Sequence, residues 1–308
     1  MKRVLFAAVA ATVLLLTGCA SGDSGATQPA PSVSGGGSYP VTVGGVTLNQ
    51  RPQRIVSLSP TTTEMLFAVD AGPQVVAVDD QSNYPADAPK TDLSGFKPNA
   101  EAVAAKNPDL VVLTDDIDKI VDQLTKLKIP VFRVPAAQRL DDVYAEIGQL
   151  GTLTGHPAEA TALTDRMKAD IDKTVKDVPQ RTEPLSYYYE LDPTFYSVTS
   201  KTFIGSIFGL FGMTNVADAA DADGSKGGYP QLSQEALLKA DPDMIFLADS
   251  KCCKQSPASV KARKGWSGIT AVKTGQIVAL DDDVASRWGP RVVDLVRSVA
   301  DAVAKVPA

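Results

Sequence analysis

The chain has few residues of the kinds that bind metal ions directly. It contains one histidine, His156, and three cysteines in 308 residues. Structural zinc sites and most protein cages for bare transition metals need several histidine or cysteine ligands. We therefore expect no resident cofactor and no directly bound metal, and any metal that this chain handles should arrive inside an organic chelate.

Basic residues are outnumbered as well. Lysine and arginine total 30 against 36 acidic residues, which gives a formal charge of -6 and argues against a nucleic-acid backbone as partner. With a single histidine no Ser-His-Asp set is readable, and the phosphate-binding pattern Gly-x-x-x-x-Gly-Lys-Ser/Thr is absent, so we expect no enzyme. A hydrophobic content of 44% is typical of a soluble globular protein of one large or two medium domains.

A long apolar run occurs at the N-terminus. Val4 to Leu16 is too short to cross a bilayer and follows two basic residues, which is typical of a signal peptide over residues 1–18. The run ends in Leu16-Thr17-Gly18-Cys19, which resembles the lipobox of bacterial lipoproteins. This resemblance implies a lipid on Cys19 and an extracytoplasmic, membrane-anchored protein; a plain signal peptide with a chance cysteine is the alternative.

Residues 19–38 follow as a flexible tether. They consist almost entirely of glycine, serine, proline, alanine and threonine, which cannot bury enough apolar surface to fold. Such a segment spans roughly 25 Å, enough to hold a domain close to a membrane surface. Removal of Lys2 and Arg3 with the signal peptide takes the side-chain charge from -6 to -8.

One motif occurs twice. The segment 99–113 aligns without a gap on 233–247, and in each copy a capping residue opens a short helix, a Pro-Asp turn closes it, and an apolar strand follows. Helix-turn-strand units are common in α/β proteins, so a chance match is the alternative. We interpret the repeat as two similarly built lobes.

Alternating strand and helix patterns on both sides of a long helical stretch predict an α/β fold with mainly parallel sheets. The predicted organisation is an N-terminal lobe over 39–154, a connecting helix within 155–180 and a C-terminal lobe over 181–308. A ligand cleft is expected between the lobes. Predicted strands are 54–58, 75–78, 110–113, 131–134, 185–190, 244–247 and 276–280, and predicted helices are 62–69, 99–106, 117–128, 140–153, 157–178, 202–211, 234–239 and 290–305.

Several motifs together resemble the class III periplasmic solute-binding proteins of ABC importers, the iron-siderophore and cobalamin binding group. They are Arg54-Ile-Val-Ser-Leu-Ser-Pro-Thr-Thr-Thr-Glu64, the strand after Pro108, Lys201-Thr-Phe-Ile-Gly205, Tyr229-Pro-Gln-Leu-Ser-Gln-Glu235 and Arg287-Trp-Gly-Pro-Arg-Val-Val-Asp294. The resemblance implies a monomer of two rigid lobes that captures a ferric siderophore, cobalamin or haem. A tethered sensor or adhesin with the same fold is the alternative function.

The same resemblance implies that each lobe offers a surface carboxylate to arginines of the permease. These carboxylates match Glu101 and Glu235, the third residues of the two copies of the repeat. An acidic residue in a first helical turn also stabilises the helix dipole, which is the purely structural interpretation.

In the N-terminal lobe the candidate ligand contacts are Ser59, Pro60, Thr61, Tyr84 and Phe96. The first three stand where a strand ends and a helix begins, so they face the cleft or simply cap the helix. The two aromatics lie in loops, where they line an apolar rim or pack in the core. Two first-lobe positions expected to be aromatic in a cobalamin binder are Gln81 and Thr114, which weakens that ligand assignment, and no basic cluster for an anionic siderophore is evident.

In the C-terminal lobe Tyr229 matches an aromatic ligand contact of the cobalamin binders. Tyr189 and Tyr196 are candidates near the end of a strand. Asp283 and Arg287 have the spacing of a ligand-binding pair in the same group, although a local ion pair is the alternative.

Cys252 and Cys253 are adjacent in the chain. In an oxidising compartment they form either a strained vicinal disulfide or two free thiols.

Overall fold

The computed structural model describes residues 38–307. The predicted signal peptide, the lipobox with Cys19 and nearly all of the tether lie outside the described residues. Within 38–307, none of the helices combines the length and apolar character that a bilayer-spanning segment needs.

The N-terminal lobe begins with a small hairpin that the sequence pattern did not predict, and continues as an alternation of strands and helices. The antiparallel hairpin turns at Gly44 and Gly45, which both have positive φ. The elements are β1 (Val41–Val43), β2 (Val46–Leu48), β3 (Ile55–Ser57), α1 (Pro60–Ala68), β4 (Val75–Val78), α2 (Ala100–Ala104), β5 (Leu110–Leu113), α3 (Ile120–Lys126) and β6 (Val131–Arg133).

Two helices, α4 (Leu140–Thr154) and α5 (Pro157–Asp177), separate this lobe from the next. Gly155 ends α4 with a φ of 79°, a left-handed conformation that glycine adopts without strain. Pro157 opens α5, where its missing N–H costs nothing.

The C-terminal lobe repeats the alternation. Its elements are β7 (Ser186–Glu190), α6 (Phe203–Gly209), β8 (Thr214–Asn215), α7 (Gln234–Ala240), β9 (Met244–Leu247), α8 (Pro257–Lys261), α9 (Thr270–Thr274), β10 (Ile277–Ala279), α10 (Asp282–Ala285) and α11 (Val292–Lys305). Strand β8 and helices α8, α9 and α10 are short and were not predicted.

Both lobes contain a four-stranded sheet of parallel strands with the same strand order. The order is β4-β3-β5-β6 in the first sheet and β8-β7-β9-β10 in the second. In each sheet the first strand along the chain therefore lies between the second and the third. The predicted α/β fold with two parallel sheets is confirmed.

The sequence repeat corresponds to equivalent structure in the two lobes. The side chain of Asn99 accepts a hydrogen bond from the third residue of α2, and Ser233 does the same for α7. Asp109 then accepts backbone hydrogen bonds at the start of β3, and Asp243 accepts one at the start of β7. Each copy thus caps its own helix and anchors the neighbouring strand.

The hydrophobic core is continuous between the lobes. One cluster joins Ile55, Leu110 and Phe132 of the first lobe to Phe246 and Val296 of the second, and buried residues of α4, α5 and α11 belong to the same cluster. This shared core packs both lobes against the same helices, which limits their independent motion.

Candidate functional site

A cleft opens at the carboxyl ends of β3 and β5, where ligands of open α/β sheets commonly bind. Its first part, which we call the N-terminal half-site, is a cavity of about 390 Å³. Its N-lobe wall contains Ser59, Phe96, Thr114 and Asp115. Ser59 precedes α1, but its side chain makes no capping hydrogen bond with the helix, so helix capping does not account for it.

The second part, the C-terminal half-site, is a cavity of about 290 Å³. Lys201, Phe203 and Tyr229 form its C-lobe side, and Tyr229 is 49% exposed. Burial of its hydroxyl raises the pKa of Tyr229, which keeps the phenol neutral.

The two half-sites share one wall, the segment from Ser286 to Trp288. Glu146 of α4 lies beside Trp288, and burial together with the charge of Asp142 raises the pKa of Glu146 to about 7. The shared wall is therefore an arginine and an indole backed by a carboxyl group that is partly protonated near neutral pH.

Arg287 lies at the centre of this wall and is heavily hydrogen-bonded. Its Nη1 donates to Glu64 Oε1 at 2.8 Å and to Asn83 Oδ1 at 2.9 Å. Its Nη2 donates to Asp283 Oδ1 at 2.9 Å and to the Gln81 carbonyl at 3.3 Å. Asp283 and Arg287 thus form the local ion pair that the sequence left as the alternative to ligand binding, and Arg287 also hydrogen-bonds to three residues of the opposite lobe.

Seven of the ten predicted ligand contacts line the cleft, and the structure brings them together from separate parts of the chain. They are Ser59, Pro60, Thr61, Phe96, Tyr229, Asp283 and Arg287. Phe96 is 73% exposed, so its ring is free to cover an apolar ligand.

The other three predicted contacts do not line the cleft. Tyr189 is fully buried, because both faces of β7 are covered. Its hydroxyl group donates a hydrogen bond to the Ala285 carbonyl. Tyr84 lies in a separate side cavity of about 500 Å³, where the Arg291 guanidinium stacks on its ring at 4.3 Å. Tyr196 is exposed and pairs through its backbone with Gln231, away from either half-site.

Sequence reasoning missed Trp288, Asp115 and Glu64. Trp288 belongs to the family motif that begins at Arg287, but nothing in the motif assigns it to the cleft. Glu64 is the acidic residue at the end of Ser59-Pro60-Thr61-Thr62-Thr63, and it is buried at 3% exposure. The signal that could have identified Glu64 is the pair Arg287 and Arg291, four positions apart, because two arginines on one side of a segment can pair with a buried carboxylate.

Glu101 and Glu235 are exposed, each in the first turn of its helix. Cys252 is exposed and Cys253 is half-buried, with their sulfur atoms 2.7 Å apart. Over residues 38–307 no group of three or more histidine, cysteine or acidic side chains is arranged to hold a metal ion.

The chain is similar to known proteins over almost its whole length. The model of the family described as "Periplasmic binding protein" matches residues 55–284. The uncharacterised ABC transporter substrate-binding lipoprotein YvrC of Bacillus subtilis is 30% identical, over 97% of this chain and 96% of that protein. A cobalamin-binding protein of Halobacterium salinarum is also 30% identical, over 98% of this chain and 85% of that protein.

A solved structure shows the same architecture. It is a possible iron-binding, periplasmic solute-binding protein of Staphylococcus epidermidis, with 27% identity and a TM-score of 0.71. The match covers 83% of this chain and 100% of the other. Two α/β lobes, a cleft between them and these matches agree with one another: the chain belongs to the class III periplasmic binding proteins, which bind solutes for ABC importers and are not enzymes.

Proposed function

We propose that this protein is anchored outside the cytoplasm by a lipid on Cys19, captures a metal chelate and delivers it to an ABC permease. A corrinoid is the ligand that the cleft supports best among ferric siderophores, haem and cobalamin. The observation that carries the proposal is the two-part cleft, which presents aromatic faces from both lobes and a shared wall formed by Trp288 and Arg287.

The charges of the cleft favour a corrinoid over an anionic siderophore. The N-terminal half-site contains the carboxylates of Asp79, Asp115 and Asp283 with one arginine, Arg287, which is already paired with Asp283. Lys201 is the other cation on the cleft wall among the described residues. A strongly anionic chelate would need several unpaired cations. The similarity to the Halobacterium cobalamin-binding protein supports the same ligand class.

Calorimetric titration with cyanocobalamin, haemin and ferric siderophores tests the ligand. We expect cyanocobalamin to bind, and Phe96→Ala and Tyr229→Ala each to weaken its binding about ten-fold through the lost aromatic contact. Tyr196→Ala is the matched control, since it removes an exposed aromatic outside the cleft. Binding of none of these chelates would overturn the proposal, and binding of a siderophore alone would overturn the corrinoid assignment.

Permease docking is proposed for Glu101 and Glu235. Both carboxylates are exposed at equivalent positions of the two lobes, which suits a permease with two-fold symmetry. We expect the double substitution to alanine to leave ligand affinity unchanged and to abolish ligand-dependent stimulation of the permease ATPase. The control is Asp122→Ala with Asp301→Ala, which removes one exposed carboxylate from each lobe elsewhere. Full stimulation by the Glu101 and Glu235 double variant would refute this docking site.

The anchor is tested by cell fractionation. We expect the wild-type chain in the membrane fraction with a lipid-modified Cys19, and the Cys19→Ala variant unlipidated. Recovery of both proteins with the same unmodified N-terminal peptide would contradict lipidation.

A further inference from the structure

A short segment of the C-terminal lobe, residues 283–291, is held by polar contacts with the N-terminal lobe. We call it the bridging segment. Asn83 donates to Asp283 Oδ2 at 3.1 Å, and Arg287 donates to Gln81, Asn83 and Glu64. At its far end Arg291 binds both oxygens of Glu64, through Nε at 2.9 Å and Nη2 at 2.5 Å.

Glu64 is the centre of these contacts. It projects from α1 of the N-terminal lobe, and its side chain is 1% exposed. Both of its arginine partners belong to the other lobe, and their side chains are 10% and 18% exposed. A buried carboxylate with two guanidinium partners is strongly destabilised when its partners move away, because the charges are then left without compensation.

The backbone of the bridging segment also approaches α1 closely. A Cβ atom built on Gly289 would lie 3.4 Å from Glu64 Oε2 and 3.6 Å from the Thr61 carbonyl. Charged contacts thus occur at both ends of the segment, and its backbone comes within van der Waals range of α1 in between. The contact is extended rather than a single ion pair.

The hydrogen-bonding capacity of the terminal nitrogens of Arg287 is fully used within the protein. Each of its two terminal nitrogens donates two hydrogen bonds, so all four terminal N–H groups have an acceptor. A bidentate grip on a ligand uses the same N–H groups. Arg287 therefore cannot hold a ligand with that edge unless its bonds to the opposite lobe break.

We propose that Glu64 is a positioning residue, which fixes the angle between the lobes and holds Arg287 and Trp288 as the wall between the two half-sites. In this arrangement Arg287 shapes the cleft, and three of its four terminal N–H groups bind the opposite lobe. The role of Glu64 in fixing the angle between the lobes does not depend on which ligand binds. Its role in shaping the binding site rests on the proposed function.

Hydrogen–deuterium exchange of the unliganded full chain tests the lobe-fixing role. In Glu64→Gln, one arginine-binding oxygen becomes an amide that faces the guanidinium groups. We expect exchange to become about ten-fold faster on both sides of the contact, in peptides covering 79–84 and 283–291. Peptides of the two sheets should keep their wild-type rates.

Glu190→Gln is the matched control. Glu190 is equally buried and is bound by Arg263 at 2.6 and 2.5 Å, but both residues belong to the C-terminal lobe. This variant should speed exchange near its own pair and leave 79–84 unchanged. Arg291→Lys keeps the charge but loses the two-point geometry, and it serves as a second variant if Glu64→Gln folds poorly.

The outcomes separate this inference from the proposed function. Unchanged exchange at 79–84 and 283–291 in both Glu64→Gln and Arg291→Lys would refute the interlobe role, whatever the ligand is. If cyanocobalamin binds, its dissociation rate should rise at least about ten-fold in Glu64→Gln and stay unchanged in Glu190→Gln. Faster exchange with an unaltered dissociation rate would refute only the role in shaping the site.

Discussion

At the scale of single residues, a buried acidic pair in the C-terminal lobe gives the protein a pH dependence. Arg263 neutralises Glu190, while both side-chain oxygens of Asp249 are buried without a hydrogen-bond partner among residues 38–307. Burial and the neighbouring charge of Glu190 raise the pKa of Asp249 to about 7, against the weaker opposing effect of Arg263. Tyr188, Tyr189 and Cys252 are further titratable groups that interact with this cluster. Asp249 is thus largely protonated in the folded protein at mildly acidic pH.

Asp249→Asn should therefore flatten the pH dependence of stability. The folded state binds the proton of Asp249 more tightly than the unfolded state does. The stabilisation of the folded state by this proton is therefore fully present below about pH 4 and is lost as the pH rises through about 7. Urea denaturation at pH 5 and pH 8 measures the free energy of unfolding of both proteins. We expect the difference, variant minus wild type, to be more positive at pH 8 than at pH 5 by at least about 1 kcal/mol. Asp115→Asn is the control, since Asp115 lies two residues after the first copy of the repeat, as Asp249 does after the second, but is exposed. Parallel pH profiles for wild type and Asp249→Asn would contradict the prediction.

The adjacent cysteines make a second prediction at this scale. Their sulfur atoms face each other at 2.7 Å, and we propose that they form a vicinal disulfide outside the cytoplasm. Burial and the neighbouring thiol raise the pKa of Cys252 to about 12, so the native thiol is a weak nucleophile and labelling must be done on denatured protein. Mass spectrometry of unreduced protein should show no alkyl group on this pair, and reduction should allow two. Two alkyl groups without reduction would exclude the bond.

At the scale of elements, the contact between α4 and α5 depends on one glycine. A Cβ atom at Gly151 would lie 2.4 Å from Ala160 Cβ and 2.8 Å from the His156 carbonyl, whereas one at Gly148 would meet nothing within 4 Å. Both glycines are in α4, so alanine improves helix propensity equally at the two positions.

We expect Gly151→Ala to lower the free energy of unfolding by about 1–3 kcal/mol, because the helices must move apart. Gly148→Ala should raise it by about 0.5–1 kcal/mol through the helix propensity alone. Chemical denaturation of the two variants measures the difference. Equal effects of the two substitutions would show that helix packing at Gly151 tolerates a methyl group.

At the scale of the whole molecule, the shared core and the bridging segment oppose a large hinge motion. Buried residues of both lobes belong to one cluster, and Glu64 joins the lobes on the cleft side. We expect the radius of gyration from small-angle X-ray scattering to change by less than about 1 Å when a chelate binds, as for other pre-organised sites. A decrease of several ångströms would indicate hinge closure and contradict a rigid pair of lobes.

Much of the fold could be predicted because its signals are local. Three strands, Val75–Val78, Leu110–Leu113 and Met244–Leu247, have the bounds that the apolar runs predicted. Helix α5 begins at the predicted residue and ends one residue earlier than predicted. Its bounds could be predicted because the proline at its start and the spacing of its apolar residues are local features of the sequence. Strand β8, with only two residues, lacks a long enough pattern to be recognised.

The class of fold, the duplicated lobes and seven of the residues that line the cleft could be predicted from the chain alone, because capping, periodicity and motif residues act over a few neighbours. Tertiary packing sets which aromatics reach the cleft: Tyr189 is covered within its sheet, and Tyr84 stacks with Arg291 instead. It alone also places Glu64 between Arg287 and Arg291, since that contact joins residues more than 200 positions apart. Such long-range contacts depend on how the two lobes pack, which no local pattern contains.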